Sequence, residues 1–447
     1  MSAAPPPGTA PGPDIQVVRG GTPLTGSVQV PGDKSISHRA LLLAALAEGV
    51  STITGLSGGD DVARTLAAVS SLGAGVSSDA DTVTVVGGRS RLAPPGNPVD
   101  LGNSGTAMRL LAGVAATLVG TTTLTGDDSL RGRPMDRVAE PLTRMGAEVT
   151  GLGERSLPPL TVTGGPLTGI TYSPPMASAQ VKGAVLLAGI AADGETVVHE
   201  PVATRAHTEE MLAAAGADIS FERVGAGRVV RVRRSSLSPG AFTVPGDPSQ
   251  AAFWLVGGII VPGSLVTVAG IHLGVERLGF LGVLRRMGAT IEVAEAGNQV
   301  GSVTSYSCAL HGTVVEASEI PSLDEVPVLA VAAATAHGTT RFRDVGELRV
   351  KESDRLAGIV EMIRAFGGSA ATEADDLVVV GTGQPLRPAH VDAHGDHRMA
   401  MAAAVAGAAC PASSGETVVS GWDTVATSYP GFADELARLA PPGSAAW

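Results

Sequence analysis

The sequence predicts an α/β protein of two domains, each built from three βαβαββ repeats around buried helices. Glycines recur at intervals of 69–77 residues, each between an Ala- and Leu-rich segment and a strand-like stretch. A second glycine series follows amphipathic segments at the same spacing. A unit this long exceeds an ordinary solenoid repeat, so six of them indicate two domains of three repeats. The first series is Gly49, Gly120, Gly194, Gly263, Gly338 and Gly415; the second is Gly73, Gly146, Gly216, Gly288 and Gly367.

Two kinds of helix alternate with strands in each repeat. One kind is apolar nearly all round and must be surrounded by protein; it is predicted at Ile36–Ala47, Val326–Ala336 and Met399–Ala409. The other carries charges on one face, as an exposed helix does; it is predicted at Asp60–Leu72, Met135–Met145, Val275–Met287 and Ser353–Phe366. Strands are predicted at Thr82–Val86, Val229–Val232 and Leu377–Val380.

Two similar segments indicate where the chain passes between the domains. Val30–Ser35 and Val244–Ser249 are near copies, and each leads directly into an apolar helix. We therefore expect residues 33–244 to form the domain of repeats one to three. Residues 14–32 and 245–447 are expected to form the domain of repeats four to six. Residues 1–13 are mostly Pro, Ala and Gly and are predicted to be a disordered tail.

Composition narrows the class of partner. The net charge of −12 argues against nucleic acid and anionic membranes, although a local basic pocket for a small anion is compatible with it. Cys308 and Cys410 are the only cysteines and lack the spacing of metal ligands, which fits a reducing cytoplasm. HExxH, paired CxxC and Walker motifs are absent from the sequence, and no cofactor is expected. The uncharged stretch 248–275 could be read as a membrane span, but Pro262-Gly263 interrupts it and favours a buried helix followed by a strand. The expected form is a monomer.

Polar residues recur at the heads of the apolar helices. If three such helices run parallel in each domain, their N-termini meet at one end, each with unpaired N–H groups and about half a positive charge. Six ends facing one cleft between the domains would bind phosphates or carboxylates. The helix-head clusters are Lys34-Ser35, Asn103-Ser104, Ser178–Gln180, Asp247–Ser249, Asp324-Glu325 and Asp396–Arg398.

Several charged side chains in these clusters are candidates for anion binding. Taken alone, each motif also fits a helix cap, solvated charges or a surface ion pair, and Asp324 could equally cap its helix or accept a proton from a hydroxyl. Arginine offers a planar fork suited to carboxylate or phosphate. Four cations from four repeats are predicted to converge on the cleft: Lys34, Arg133, Arg355 and Arg398.

Three runs in the sequence resemble those of the 5-enolpyruvylshikimate-3-phosphate synthases, a family of enolpyruvyl transferases. They are Lys-Ser-x-Ser-x-Arg at 34–39, Leu-Gly-Asn-x-Gly-Thr-Ala-Met-Arg at 101–109 and Arg-Val-Lys-Glu-Ser-Asp-Arg at 349–355. The resemblance covers residues 15–440. It implies two inside-out α/β domains with the active-site cleft between them. It also implies transfer of the enolpyruvyl group of phosphoenolpyruvate to the 5-hydroxyl of shikimate 3-phosphate.

The resemblance further implies the roles of individual residues. The implied phosphoenolpyruvate ligands are Lys34, Gly105, Arg133, Gln180, Arg355 and Arg398. The implied shikimate 3-phosphate ligands are Lys34, Ser35, Arg39, Ser178, Ala179, Gln180, Arg205, Asp324 and Lys351. Asp324 is the implied base, and Glu352 and Lys34 are the implied carriers of the proton at C3 of phosphoenolpyruvate. No metal is implied.

Three departures from the family pattern and two alternatives accompany this resemblance. His38 stands where Asn is usual, Leu110 where many members have Pro, and 427–430 lacks a lysine that one branch uses. One alternative is UDP-N-acetylglucosamine enolpyruvyl transferase, which normally has Lys-Asn in place of Lys34-Ser35 and a reactive cysteine in a mobile loop. The other is a paralogue that keeps the pocket without turnover.

Overall fold

A computed structural model describes residues 14–441, and the tail predicted at 1–13 lies outside the described residues. The described chain forms two compact units. Residues 31–245 form one, called here the continuous unit, and residues 14–30 with 246–441 form the other, called the discontinuous unit. Each unit has its own hydrophobic core.

The secondary structure alternates strands and helices along the whole described chain. The strands are β1 (Ile15–Arg19), β2 (Thr25–Gln29), β3 (Gly49–Thr54), β4 (Gly75–Asp79), β5 (Thr82–Gly87), β6 (Val99–Asp100), β7 (Gly120–Thr125), β8 (Glu148–Leu152), β9 (Leu157–Gly164), β10 (Thr171–Tyr172), β11 (Glu195–Glu200), β12 (Ile219–Val224), β13 (Gly227–Arg233), β14 (Ala241–Thr243), β15 (Leu265–His272), β16 (Thr290–Gly297), β17 (Val300–Tyr306), β18 (Val314–Glu316), β19 (His337–Arg343), β20 (Ser369–Glu373), β21 (Asp376–Thr382), β22 (His390–Asp392) and β23 (Glu416–Ser420). The α-helices are α1 (Lys34–Leu46), α2 (Asp60–Ser71), α3 (Gly105–Ala115), α4 (Asp128–Arg131), α5 (Asp136–Arg144), α6 (Ala179–Gly189), α7 (His207–Ala214), α8 (Pro248–Ile260), α9 (Gly279–Arg286), α10 (Val326–Thr335), α11 (Arg355–Ala365), α12 (His397–Ala408) and α13 (Phe432–Leu439).

The sheets of the described chain repeat one strand order, which confirms the predicted βαβαββ repeat. In the sheet β6-β7-β9-β8, the first two strands are parallel and the remaining pairs are antiparallel. The sheets β10-β11-β13-β12 and β18-β19-β21-β20 follow the same rule. Two sheets take their first strand from a distant part of the chain, since β14 pairs with β3 and β2 pairs with β15. In the three-stranded sheet, β1 completes the pair β22-β23.

The repeating glycines have a conformational reason. All eleven glycines of the two series have positive φ, from 77° at Gly263 to 137° at Gly49. L-residues with a Cβ rarely adopt this region, so glycine is favoured wherever the chain reverses from a helix into the next strand. The spacing read from the sequence is therefore the spacing of these helix-to-strand turns.

Apolar helices form the centre of each unit. In the continuous unit α3 packs against α6 and α1, and in the discontinuous unit α10 packs against α12 and α8. Nearly every residue of these helices is buried. Helices such as α2 and α5 instead bury one face only, as their charge pattern predicts.

The predicted helix at 275–287 is wrong in its first turn. Val275–Arg277 forms a short 3-10 turn, and α9 begins only at Gly279. At this glycine the backbone lies against the Glu319 carbonyl, since a Cβ there would be 1.7 Å from that oxygen. The uncharged stretch 248–275 forms α8 followed by β15, as expected. Within residues 14–441, every helix is too short or too polar to cross a bilayer.

Candidate active site

The head of α1 presents the first group of predicted residues in the continuous unit. The Asp33 carboxylate caps the helix by accepting a hydrogen bond from the Ile36 amide at 2.9 Å. Lys34 is the first helical residue, and its Nζ lies 2.9 Å from Oδ2 of Asp61 in the first turn of α2. Both side chains are largely buried, with 16% and 7% exposed. Asp61 was not predicted, because the sequence shows only an acidic residue at the start of an amphipathic helix.

Arg39 joins three helices around the head of α1. Its guanidinium donates to Oγ of Ser35 at 2.7 Å and to the Ala179 carbonyl at 3.3 Å. Its Nε donates to Oγ1 of Thr208 on α7 at 2.7 Å. The side chain is only 2% exposed. The structure thus brings together Ser35, Arg39 and the start of α6, where Ser178 caps the helix by accepting from the Val181 amide.

A second group in the same unit surrounds the head of α3. Gln180 accepts from Arg109 at 2.6 Å and donates to Thr106 at 2.8 Å. A Cβ added to Gly105 would lie 3.2 Å from a guanidinium nitrogen of Arg109 and 3.2 Å from one of Arg133. Gly105, Arg133 and Gln180 are therefore grouped as predicted. Arg109 is an additional cation that the sequence motif contained without a role assigned to it.

Arg133 is held in this group by polar neighbours. Its guanidinium donates to the Asn103 side chain and to Oγ of Ser129, the latter at 3.2 Å. Asn103 precedes Ser104, which caps α3 by accepting from the Ala107 amide at 3.2 Å. The loop before α3 therefore fixes both the helix start and the orientation of Arg133.

The predicted residues of the discontinuous unit meet around Arg355. This side chain is fully buried, and its Nε and Nη2 donate to the Asp396 carboxylate at 2.7 and 3.2 Å. Its guanidinium also lies 3.1 Å from Asp324 and 2.7 Å from Glu352. Arg398 is 3.5 Å from the other Asp324 oxygen. Asp396 was recognised only as part of a helix-head cluster, and its pairing with Arg355 depends on tertiary packing.

Lys351 lies at the edge of this group, where its Nζ donates to the Ser322 carbonyl at 3.0 Å. Asp396 also caps α12 by accepting from the Arg398 amide at 2.9 Å. Three cations and three carboxylates thus lie together at the heads of α10, α11 and α12. Such an arrangement can bind an anion through the arginines while its carboxylates accept or donate protons.

The charge state of Arg355 follows from its surroundings. Burial alone would lower the pKa of this guanidinium, but the Asp396, Glu352 and Asp324 carboxylates outweigh it and raise the pKa above its usual value. Arg355 is therefore a permanent cation whose charge is balanced from three sides.

His38 is a neutral histidine in the same helix as Lys34. Its side chain is buried, and Nδ1 lies 2.7 Å from Oγ1 of Thr65. Burial first, then the charges of Lys34 and Arg39, lowers the pKa of His38 well below 6.5, although Asp33 acts in the opposite direction. At this position, where the resemblance expects Asn, the imidazole occupies the space between α1 and α2.

A pH-dependent contribution to stability follows. Below the unfolded-state pKa of 6.5, the unfolded chain binds a proton at His38 that the folded chain does not. The free energy of unfolding then falls by up to about 1.4 kcal/mol per pH unit on acidification. We expect His38→Asn to lose less stability than the parent chain as the pH falls below 6.5, as measured by urea denaturation. Equal losses in the two proteins would contradict this account.

The described histidines, cysteines and acidic residues do not cluster as metal ligands. Within the described residues, no group of three or more His, Cys, Asp or Glu side chains is placed to hold a metal ion. Cys410 lies buried against the carbonyl of Ala406, and burial raises the pKa of its thiol to about 11. Cys308 is half-buried, with Sγ 3.8 Å from the Gly288 carbonyl.

Known proteins share both the sequence and the fold of this chain. The family profile described as EPSP synthase (3-phosphoshikimate 1-carboxyvinyltransferase) matches residues 18–436. A 3-phosphoshikimate 1-carboxyvinyltransferase of Synechococcus sp. (strain JA-3-3Ab) is 47% identical, covering 98% of this chain and 99% of the relative. One from Caulobacter vibrioides is also 47% identical, covering 94% and 96%.

Solved structures agree with these sequence relatives. An EPSP synthase from Acinetobacter baumannii superimposes with a TM-score of 0.82 at 37% identity, covering 95% of this chain and 98% of that one. The enolpyruvyl transferase NikO from Streptomyces tendae, at 21% identity and a TM-score of 0.75, shares the fold. From the profile match and the full-length relatives it follows that the chain belongs to the EPSP synthase (3-phosphoshikimate 1-carboxyvinyltransferase) family.

Proposed function

We propose that this chain transfers the enolpyruvyl group of phosphoenolpyruvate to the 5-hydroxyl of shikimate 3-phosphate and releases phosphate. Family membership over residues 18–436 and relatives of nearly the same length support this reaction. The observation that carries the proposal is the contact of Arg355 with both Asp324 and Glu352, at 3.1 and 2.7 Å. One permanent cation thus contacts two carboxylates, to which we assign different proton-transfer roles below.

The chemistry consists of an addition followed by an elimination. In the addition, the oxygen of the 5-hydroxyl bonds to C2 of phosphoenolpyruvate, the hydroxyl loses its proton and C3 gains one. In the elimination, C3 loses a proton and the bond between C2 and the phosphate oxygen breaks, which restores the double bond and releases phosphate. We assign Asp324 as the base for the hydroxyl, and Glu352 and Lys34 as the groups that move the C3 proton.

Both substrates are anions, so cations and helix ends are the natural ligands. We retain Lys34, Gly105, Arg133, Gln180, Arg355 and Arg398 as the proposed phosphoenolpyruvate ligands. We retain Lys34, Ser35, Arg39, Ser178, Ala179, Gln180, Arg205, Asp324 and Lys351 as the proposed shikimate 3-phosphate ligands. The grouping of Ser35 with Arg39 and Ala179, and of Gly105 with Arg133 and Gln180, supports these assignments.

Two alternatives are less well supported. Transfer to UDP-N-acetylglucosamine is disfavoured because the matching relatives carry the shikimate-type name. The raised pKa of Cys410 also removes thiolate reactivity at that residue near neutral pH. A paralogue without turnover is disfavoured because Lys34, Asp324 and Glu352 are all present.

Phosphate release tests the reaction directly. We expect the purified chain to release phosphate from phosphoenolpyruvate only when shikimate 3-phosphate is present, with one enolpyruvyl product formed per phosphate by mass spectrometry. UDP-N-acetylglucosamine serves as the control acceptor. Release with that acceptor instead would support the sister reaction, and release with neither would support the non-catalytic alternative.

The cellular location, the oligomeric state and the metal requirement of the protein are also proposals. We expect a cytoplasmic monomer that needs no metal, in keeping with the acidic composition and the small number of cysteines. Size-exclusion chromatography with light scattering would measure the oligomeric state, and turnover after treatment with a chelator would test the metal requirement.

A further inference from the structure

Four charged side chains form a buried network in the continuous unit. Nζ of Lys182, on α6, lies 2.9 Å from Glu200 and 2.6 Å from Glu209. Arg228, on β13, lies 3.0 Å from the same Glu209 oxygen. The side chains of Lys182 and both glutamates are fully buried, and that of Arg228 is 9% exposed. Two positive and two negative charges balance, as burial of ionised groups requires.

The network holds the loop 201–206, which carries Arg205. Lys182 donates to the Arg205 carbonyl at 3.1 Å. The Glu200 carboxylate accepts from the Thr204 amide at 3.3 Å and from the Thr204 hydroxyl. Arg228 donates to the Thr204 carbonyl at 2.9 Å. The backbone on both sides of the peptide bond between Thr204 and Arg205 is thus fixed by buried charges.

The same network connects to the other residues proposed to bind shikimate 3-phosphate. Lys182 lies one helical turn after Ser178, whose carbonyl accepts from the Lys182 amide at 3.0 Å. Glu209 directly follows Thr208, the residue that accepts from Nε of Arg39. Lys182 therefore links the head of α6 to Arg205, and through Glu209 to the partner of Arg39.

We infer that Lys182 is a positioning residue for shikimate 3-phosphate, which it serves by fixing the Arg205 loop relative to the head of α6. This inference rests on the proposed function. Buried ion pairs are often no more stabilising than apolar residues of the same size. Three of the four charged side chains contact the loop 201–206 directly, and Glu209 pairs with two of those three, so the network is better explained by the placement of that loop than by stability.

The test removes Lys182 without leaving an unbalanced charge. Lys182→Met combined with Glu200→Gln deletes one charge of each sign and leaves the pair Arg228–Glu209. We expect about a tenfold or greater increase in the dissociation constant of shikimate 3-phosphate, measured by titration calorimetry without phosphoenolpyruvate. The KM for phosphoenolpyruvate should change far less. Leu212→Ala, a core substitution in α7, is the matched control: it should lower the melting temperature and leave the dissociation constant unchanged.

A double-mutant cycle with Arg205→Ala tests whether Lys182 affects the binding of shikimate 3-phosphate through Arg205. In that background the Lys182→Met and Glu200→Gln pair should weaken binding by no more than about twofold, because the group that it positions is already gone. Two results would overturn the inference. One is an unchanged dissociation constant when the Lys182→Met and Glu200→Gln pair is introduced into the otherwise native chain. The other is the full loss of affinity when the same pair is introduced into the Arg205→Ala variant. If the combined variant does not fold, Thr204→Ala decides, with a severalfold weaker binding expected and no change contradicting the proposal. The calorimetric readout needs no turnover, whereas phosphate release by the unaltered chain tests the proposed function separately.

Discussion

A Lys34→Met variant is expected to lose turnover by roughly 10²–10⁴-fold while remaining folded. Methionine keeps the length of the side chain but removes the charge that is proposed to bind phosphoenolpyruvate and to move the C3 proton. Asp61, the partner at 2.9 Å, stays near the N-terminus of α2, where the helix dipole continues to stabilise a carboxylate. Phosphate release would measure the loss of turnover, and circular dichroism with a thermal melt would confirm the fold.

Arg144→Met is a suitable control for this experiment. Arg144 is a half-exposed cation of the same unit that pairs with Glu140 at 3.3 Å. Its removal should leave turnover close to that of the parent chain, because exposed pairs of this kind contribute little. Full activity in Lys34→Met would remove Lys34 from the proposed catalytic residues.

An Arg355→Met variant is expected to lose both stability and activity. Asp396 is fully buried and would lose the partner that contacts it at 2.7 Å, so we expect a loss of about 3–5 kcal/mol in the free energy of unfolding. Asp324 and Glu352, at 20% and 18% exposure, would add less because water reaches them. Urea denaturation measures the first effect and phosphate release the second.

Two further variants separate stability from chemistry at Arg355. Combining Arg355→Met with Asp396→Asn removes the uncompensated buried charge and should restore much of the stability without restoring turnover. Arg341→Met is the matched control, since Arg341 likewise contacts more than one carboxylate, Asp376 at 2.8 Å and Glu373 at 2.5 Å, but with a side chain that is 32% exposed. It should leave both stability and turnover nearly unchanged. A large loss in this control, or none in Arg355→Met, would show that burial is not what makes Arg355 important.

The regular parts of the fold could be predicted because each has a local physical cause. Turns that need positive φ select glycine, so Gly49 and Gly73 report the ends of α1 and α2 without any knowledge of tertiary structure. A helix with no polar face has to be interior, which identified the helices at the centres of the two units. The helix predicted from Val275 begins only at Gly279, where the backbone lies against the carbonyl of Glu319, and a contact with a residue forty positions away leaves no local signal in the sequence.

For some contacts of the candidate site, the sequence pointed to the cation but not to its carboxylate partner. A cation such as Lys34, in the first turn of an apolar helix, is recognisable because that helix contains no acidic residue that could pair with it. Its partner is not recognisable, since Asp61 looks like any acid in the first turn of an exposed helix. Lys182 illustrates the same limit, because one lysine in an otherwise apolar helix does not indicate which carboxylates will surround it.

The pairing of strands from distant parts of the chain sets the order in which the two units can fold during translation. Residues 31–245 contain every strand of their own sheets, including β14, so this half can fold as soon as it leaves the ribosome. In contrast, β2 waits for β15, and β1 waits for β23, the partner of Ile15 being Ser420. β1 is therefore translated long before β23, and it must stay unpaired and soluble while most of the described residues are synthesised.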